Sequence, residues 1–397
     1  MRPSQYRLRP GHVHAHARRL LLDGLRLRDH KSSVRASLLA SLLLLAALSH
    51  PSLCCACALH PERPCYQSVR NSLHANLPGK QSTLTGYLLE SFLESLPDWL
   101  LRSPQPCAID LHQRCFYGRK TTRGCTRGKS KKGTTKFFTY ATLAILSPAG
   151  RFTLGLVAVY PRMLLQNIVA ELLGQARRAG LCVSHLMLDR EFGSAEVISL
   201  LQRQGLAFLM AAQKCGKKKE AGNRRFFEPD SVLGWHEHSW TTPRRVWDFK
   251  EGKRKEKGKL TVKVDVCVAR GGGKKPRLVY YCAGLRRWSA AQVKESYRKR
   301  FGIESGYRQL GECLARTSSP DSRVRLLLVG VALLLLNVWA YLHADILAGG
   351  AVGERHLRLD LLRLTVLRTL VMLEILKPSE PSWRTQQPIP ECFATNT

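Results

Sequence analysis

The sequence predicts an α/β chain in which a mixed sheet is flanked by helices, preceded by a helical region and interrupted by a β-rich insertion. Three observations carry this. Residues 107–111, 137–146 and 152–159 are rich in β-favouring side chains and separated by turn signals. Helical and strand periods then alternate, with a helix over 163–179, a strand over 185–188, a helix over 194–204 and a strand over 207–211. Between 213 and 287 the alternation stops, and lysines and arginines crowd around Trp235, Trp240, Trp247 and two short β-runs at 260–269 and 278–283.

Taken in order, residues 1–104 read as a small, basic helical domain suited to gripping DNA ends, with apolar residues at helical spacing over 84–101. Residues 105–212 form the first part of a catalytic domain, in which Ser147-Pro148-Ala149-Gly150 turns the second strand into the third. Three strands in a row followed by helix and strand in alternation is the order of a ribonuclease H-like core. Residues 213–287 are the insertion, where Gly271–Gly273 reads as a hairpin turn because no P-loop spacing follows it. Residues 288–347 resume the catalytic domain with a helix carrying Glu304 and an apolar helix beneath it. Residues 348–397 hold a basic amphipathic helix over 356–376 and a loose tail.

The 397 residues carry a formal net charge of +34, which points to a polyanionic partner, nucleic acid before membrane surface. Thirteen cysteines, an odd number scattered along the chain, suit a reducing compartment rather than a disulfide framework. Cys54, Cys57, His60 and Cys65 have ligand-like spacing without a regular paired motif, so zinc is a minor alternative there. The apolar run 38–48 is too short to span a bilayer. The run 326–342 is longer but interrupted by Asn337, and reads as a buried core helix.

With only 29 acidic residues, a carboxylate at the end of an apolar strand stands out. Asp110 ends Cys107-Ala108-Ile109 and Asp189 ends Leu186-Met187-Leu188. Groups at strand ends border the crevice of an open sheet, so the two aspartates meet if their strands are neighbours. At about 100° per residue, Tyr297, Arg300, Glu304 and Arg308 share one helix stripe. Asp110, Asp189 and Glu304 together would ligate two Mg²⁺ ions, with Mn²⁺ as the alternative, roughly 4 Å apart for phosphodiester exchange. Among rival carboxylates, Glu295 lies about 180° around the helix, Glu312 about 80°, and Glu191 just past the strand end.

On these residues the sequence resembles the insertion-sequence DDE transposases whose signature runs Tyr, two residues, Arg, three residues, Glu, six residues, Lys. Tyr297, Arg300 and Glu304 fill the first three places, Leu-Asp-Arg-Glu-Phe at 188–192 resembles the segment of the second aspartate, and Ala-Ile-Asp at 108–110 that of the first. The long gap before Glu304 also resembles the group, which carries a β-strand insertion there. The Lys place falls on Gly311, and Arg308, a turn earlier, is the substitute. The resemblance implies cut-and-paste transposition, a homodimer on two DNA ends, no membrane, and a bacterial, cytoplasmic, nucleoid-associated protein. A nuclease or resolvase that cuts without joining, and an inactive DNA-binding remnant, are the alternatives.

Arg119, Lys120, Arg123, Arg127, Lys129, Lys131 and Lys132, interleaved with Gly and Thr, read as a flexible loop between the first two strands that tracks a DNA backbone. Tyr297, Arg300 and Arg308 would fix end phosphates. Trp288 and the insertion tryptophans Trp235, Trp240 and Trp247 are candidate platforms for an unpaired base.

Overall fold

The computed structural model describes residues 8–30, 34–49, 52–119, 122–148, 150–215, 222–248, 253–272, 275–300, 309–347 and 356–377. Five helices come first: α1 (Pro10–Gly24), α2 (Ala36–Ser49), α3 (Leu53–Leu59), α4 (Tyr66–Asn76) and α5 (Gln81–Glu94). In α1 the buried residues Val13, Ala17, Leu20, Leu21 and Gly24 recur at helical spacing, so one stripe is buried. Helix α2 is apolar around nearly its whole circumference and is buried all round.

Strands β1 (Gln105–Cys115), β2 (Thr126–Lys131), β3 (Thr134–Ser147) and β4 (Gly150–Val159) follow, then α6 (Leu165–Arg178), β5 (Val183–Leu188), α7 (Ala195–Arg203) and β6 (Phe208–Ala211). β3 lies antiparallel to β1 on one edge and takes β2 and β4 on the other. β5 joins β1 in parallel and β6 joins β5 in parallel. This is the mixed sheet expected of a ribonuclease H-like core. Strands β7 (Gly234–Asp248), β8 (Lys253–Gly272) and β9 (Lys275–Ala283) then extend the same sheet, because β9 pairs antiparallel with β6, from Phe208 opposite Ala283 to Ala211 opposite Tyr280. The stretch between 213 and 287 thus continues the core's own hydrogen bonding.

Helix α8 (Ala290–Arg300) packs Val293 and Tyr297 onto Ala108, Met187, Leu209, Cys267 and Tyr280, covering one half of one sheet face. The outer half of that face, with Phe138, Tyr140 and Leu156, is covered by a single apolar cluster. It unites α1, α2 and α5 with α9 (Ser322–Tyr341) and α10 (Leu364–Leu376). The N-terminal helices are therefore not a separate body, since their apolar stripes are buried against helices from the far end of the chain. Helices α6 and α7 cover the opposite face.

Residues 322–347 are long and apolar enough to cross a membrane, yet 94% of the most apolar window is buried inside the protein. Asn337 explains the polar interruption. Its Oδ1 accepts from the Thr153 backbone N–H at 2.7 Å, and its Nδ2 donates to the Thr153 carbonyl at 2.7 Å and to Ser95 Oγ at 2.9 Å. Gln175 of α6 holds the N–H and C=O of Leu156 in the same way, at 3.1 and 3.3 Å. Two amides thus satisfy backbone groups along β4 that a free sheet edge would leave unpaired.

The basic stretch 119–132 is not a loop throughout. Thr126–Lys131 is strand β2, joined to β3 by Lys132 and Gly133, which hold φ of 49° and 76° as a tight hairpin turn requires. The alternation of small and basic residues is a strand period on a solvated edge.

Candidate active site

The site is set by strand register. Ile109 of β1 lies opposite Leu188 of β5 in parallel pairing, so Asp110 and Asp189, each the next residue, come side by side. Asp110 is flanked on its other side by Thr142 of β3. On this face the helical bundle covers β3 and β4 while α8 covers β6, β9 and β8, and the two aspartates lie on the strands between them.

Arg300, the last residue of α8, reaches both carboxylates. Its Nη1 donates to Asp110 Oδ2 at 3.5 Å and its Nη2 to Asp189 Oδ1 at 3.2 Å, with only 5% of the arginine side chain exposed. Each aspartate also accepts a backbone N–H on Oδ1, from Leu111 at 2.8 Å and from Arg190 at 2.7 Å. Burial pushes the Asp110 carboxyl up to about 6, against the opposing pull of Arg300 and the Leu111 N–H. The guanidinium therefore offsets only part of the cost of a buried charge.

Arg300 binds protein carboxylates here, not an outer surface, and this departs from the phosphate contact expected of it. Tyr297 departs in the same way. It is 4% exposed, its hydroxyl donates to the Leu188 carbonyl at 3.4 Å, and its ring lies 5.1 Å from the Arg300 guanidinium and 5.1 Å from the Tyr280 ring. Burial raises its phenol to about 12. Both side chains face inward because α8 turns its apolar residues onto the sheet, and the stripe that holds Val293 holds them as well.

Trp288 is also structural: half-buried, it packs edge-on against His185 at 5.1 Å, and its carbonyl accepts from Trp235 Nε1 at 2.9 Å. Glu295 pairs with Arg298 on the surface, and Glu312 pairs with Arg368 of α10. Arg119, Arg123, Arg127, Lys129, Lys131 and Lys132 are all exposed. β1 and β3 run on past the end of β5, so β2 and this basic edge project beyond the aspartates. Glu304, Arg308 and Lys120 lie outside the described residues. Gly311 is described, with open space around it.

Asp110 and Asp189 are hard oxygen donors of the type Mg²⁺ takes, and the raised Asp110 carboxyl marks a place where added positive charge is favourable. Among the described residues no third carboxylate, histidine or cysteine completes a metal cluster, there or around Cys54, Cys57, His60 and Cys65. Reading the sequence missed the role of Arg300 as the aspartates' partner. Its place one turn before Glu304 on the same stripe was the available signal.

The chain matches no protein-family model and no curated protein. Among solved structures, it is similar in fold to piggyBac transposase, determined by cryo-EM as a synaptic complex with hairpin DNA. The TM-score is 0.51 over 95% of this chain and 82% of that chain, at 11% sequence identity.

Proposed function

We propose that this chain is a DNA transposase of an insertion sequence, of the DDE type, acting on element ends by Mg²⁺-dependent hydrolysis and strand transfer. The observation that carries the reading is Asp110 beside Asp189 on adjacent parallel strands, with the basic β2 edge projecting beyond them. The fold likeness to a transposase and the net charge of +34 support it.

Asp110, Asp189 and Glu304 would hold the metal. When bound, Mg²⁺ would neutralise phosphodiester charge and activate the attacking oxygen. The protein's own part is to hold the two carboxylates together through strand register and to pair both with Arg300. The exposed cations of 119–132 draw the DNA backbone across the site, which makes binding steeply salt-dependent. Water attacks the phosphodiester at the element end and displaces its 3′-oxygen, and the freed 3′-hydroxyl then attacks a second phosphodiester, forming a new P–O bond as that bond's own 3′-oxygen leaves. Two ends call for a homodimer on DNA.

The test uses the full chain and duplex DNA carrying the inverted repeats that flank its gene. Cleaved and joined products are expected with Mg²⁺, none with a chelator, and none from Asp189→Asn or Glu304→Gln, both of which still bind ends. Cleaved ends that never join would replace the transposase with a nuclease. End binding without any cleavage by the parent protein would leave a DNA-binding remnant.

A further inference from the structure

A second feature of the same sheet face lies apart from the two aspartates. A cavity of about 870 Å³ opens between the far end of β1, the residues that follow it, and the segment leading into α9. Arg114, Arg119, Arg316 and Arg325 line it, and among the described residues no carboxylate does. Arg119 and Arg316 are exposed, whereas Arg114 and Arg325 are half-buried.

Arg325 is fixed in place. Its guanidinium lies over the rings of Phe116 and Phe138, at 4.9 and 4.7 Å, and donates to the carbonyls of Ser319 at 2.6 Å and Thr317 at 3.1 Å. Phe138 is the cross-strand partner of Arg114, and Arg114 lies close enough to Arg325 to act on its charge. Two cations held together away from water are costly unless an anion joins them. Burial lowers both guanidinium groups from their ordinary range, Arg114 lowers Arg325 further, and only Tyr140 and neighbouring thiols act in the other direction.

The rest of the lining combines small polar residues, among them Thr122, Thr317 and Ser318, with apolar and aromatic ones. Leu314 and Leu328 contribute to the walls, and Tyr117, 66% exposed, is held there by its hydroxyl donating to the Lys132 carbonyl at 2.9 Å. An inorganic anion alone would not use these surfaces. Side chains alternate along a strand, so Arg114 shares its face with Asp110, four residues and roughly 13 Å away. Measured along the axis of a B-form duplex, that distance is about four nucleotides of one strand.

We propose that this cavity binds a nucleotide, with its phosphate on Arg114 and Arg325 and its base against Tyr117. Under the transposase reading, on which the source of the ligand rests, the nucleotide belongs to the strand that also crosses Asp110 and Asp189. A free nucleotide is the other source of the same chemistry.

The test measures fluorescence anisotropy of a labelled single-stranded oligonucleotide with the full-length protein, titrated at several salt concentrations, with deoxynucleoside monophosphate and inorganic phosphate as competitors. Arg114→Gln should weaken binding about tenfold and reduce the salt slope by about one. Tyr117→Ala, at an exposed position where folding is retained, should weaken it about fivefold with the slope unchanged. The monophosphate should compete better than inorganic phosphate. Parental affinity in both folded variants would overturn the proposal while leaving DNA binding intact, and equal competition by inorganic phosphate would reduce the cavity to a bare anion site. Binding of the monophosphate that depends on Arg114 and Tyr117, in a protein that binds no DNA, would keep the cavity as a nucleotide site and remove the transposase reading.

Discussion

One sheet face is finished in two different ways. Over β3 and β4 the helical bundle buries Leu, Val and Ala around Asn337, an amide whose donor and acceptor are both used. Over β1 and β5 the buried groups are Asp110 and Arg300, with half-buried Arg114 further along β1, and burial of Asp110 and Arg114 is only partly offset by their neighbours. The first region spends its buried polar group on closing a sheet edge. The second keeps buried charge in a state that a cation or a phosphate would improve, which is how chemistry-bearing sites differ from structural ones.

The largest effect should fall on activity alone. Asp189→Ala is expected to lower Mg²⁺-dependent cleavage of element ends by about a thousandfold, or about 4 kcal/mol, with the melting temperature nearly unchanged. Gel analysis of cleaved ends checks the first part and calorimetry the second. A large loss of stability would place Asp189 with the structural group and erase the contrast between the regions.

Asn337→Leu should do the reverse. It removes three hydrogen bonds and leaves the Thr153 N–H and C=O unpaired against an apolar helix, so a loss of about 3 kcal/mol is expected in denaturant unfolding. Unchanged stability would mean that β4 finds other partners for its edge.

The third effect depends on pH. Burial raises Asp110 from the ordinary 3.8 to about 6, so between those values the folded chain holds a proton that the unfolded chain has lost. Stability is therefore greatest below about pH 4, falls as pH rises to about 6, and is flat beyond. Without Mg²⁺, Asp110→Asn should lack this decline and gain about 3 kcal/mol on the parent between pH 4 and 7. Parallel stability curves would show that Arg300 already offsets the whole cost.

The smallest effect tests bundle packing. A Cβ on Gly24 would meet Ser91 Oγ at 2.0 Å and Ser91 Cα at 2.9 Å, so α1 and α5 must part in Gly24→Ala, at about 1 to 2 kcal/mol. Ser91→Gly in the same chain should recover part of that, and thermal melting of the three variants decides it.

Local order was legible in the sequence. The expected strands at 107–111, 137–146, 152–159, 185–188 and 207–211 and the helices at 163–179 and 194–204 lie within or closely match the observed elements. Asp110 and Asp189 could be singled out because a carboxylate ending an apolar strand is conspicuous in a chain so poor in acids. The basic stretch could not be recognised as strand β2, because a solvated edge strand has no apolar period to reveal it. Nor could Tyr297 and Arg300 be read as inward-facing, since a polar stripe on a helix looks the same whether it meets water or buried carboxylates.

The sequence by itself determined the kinds of element, their order, the basic character of the surface and the two strand-terminal aspartates, because each depends on periods and residue chemistry within a few neighbouring positions. Tertiary structure alone decided three things: the β1 and β5 register that sets Asp110 beside Asp189, the merging of the N-terminal helices with α9 and α10, and the continuation of the sheet through β9. These are pairings between distant segments. They depend on which apolar faces and open strand edges fit one another once the chain has collapsed, and no local pattern encodes that choice.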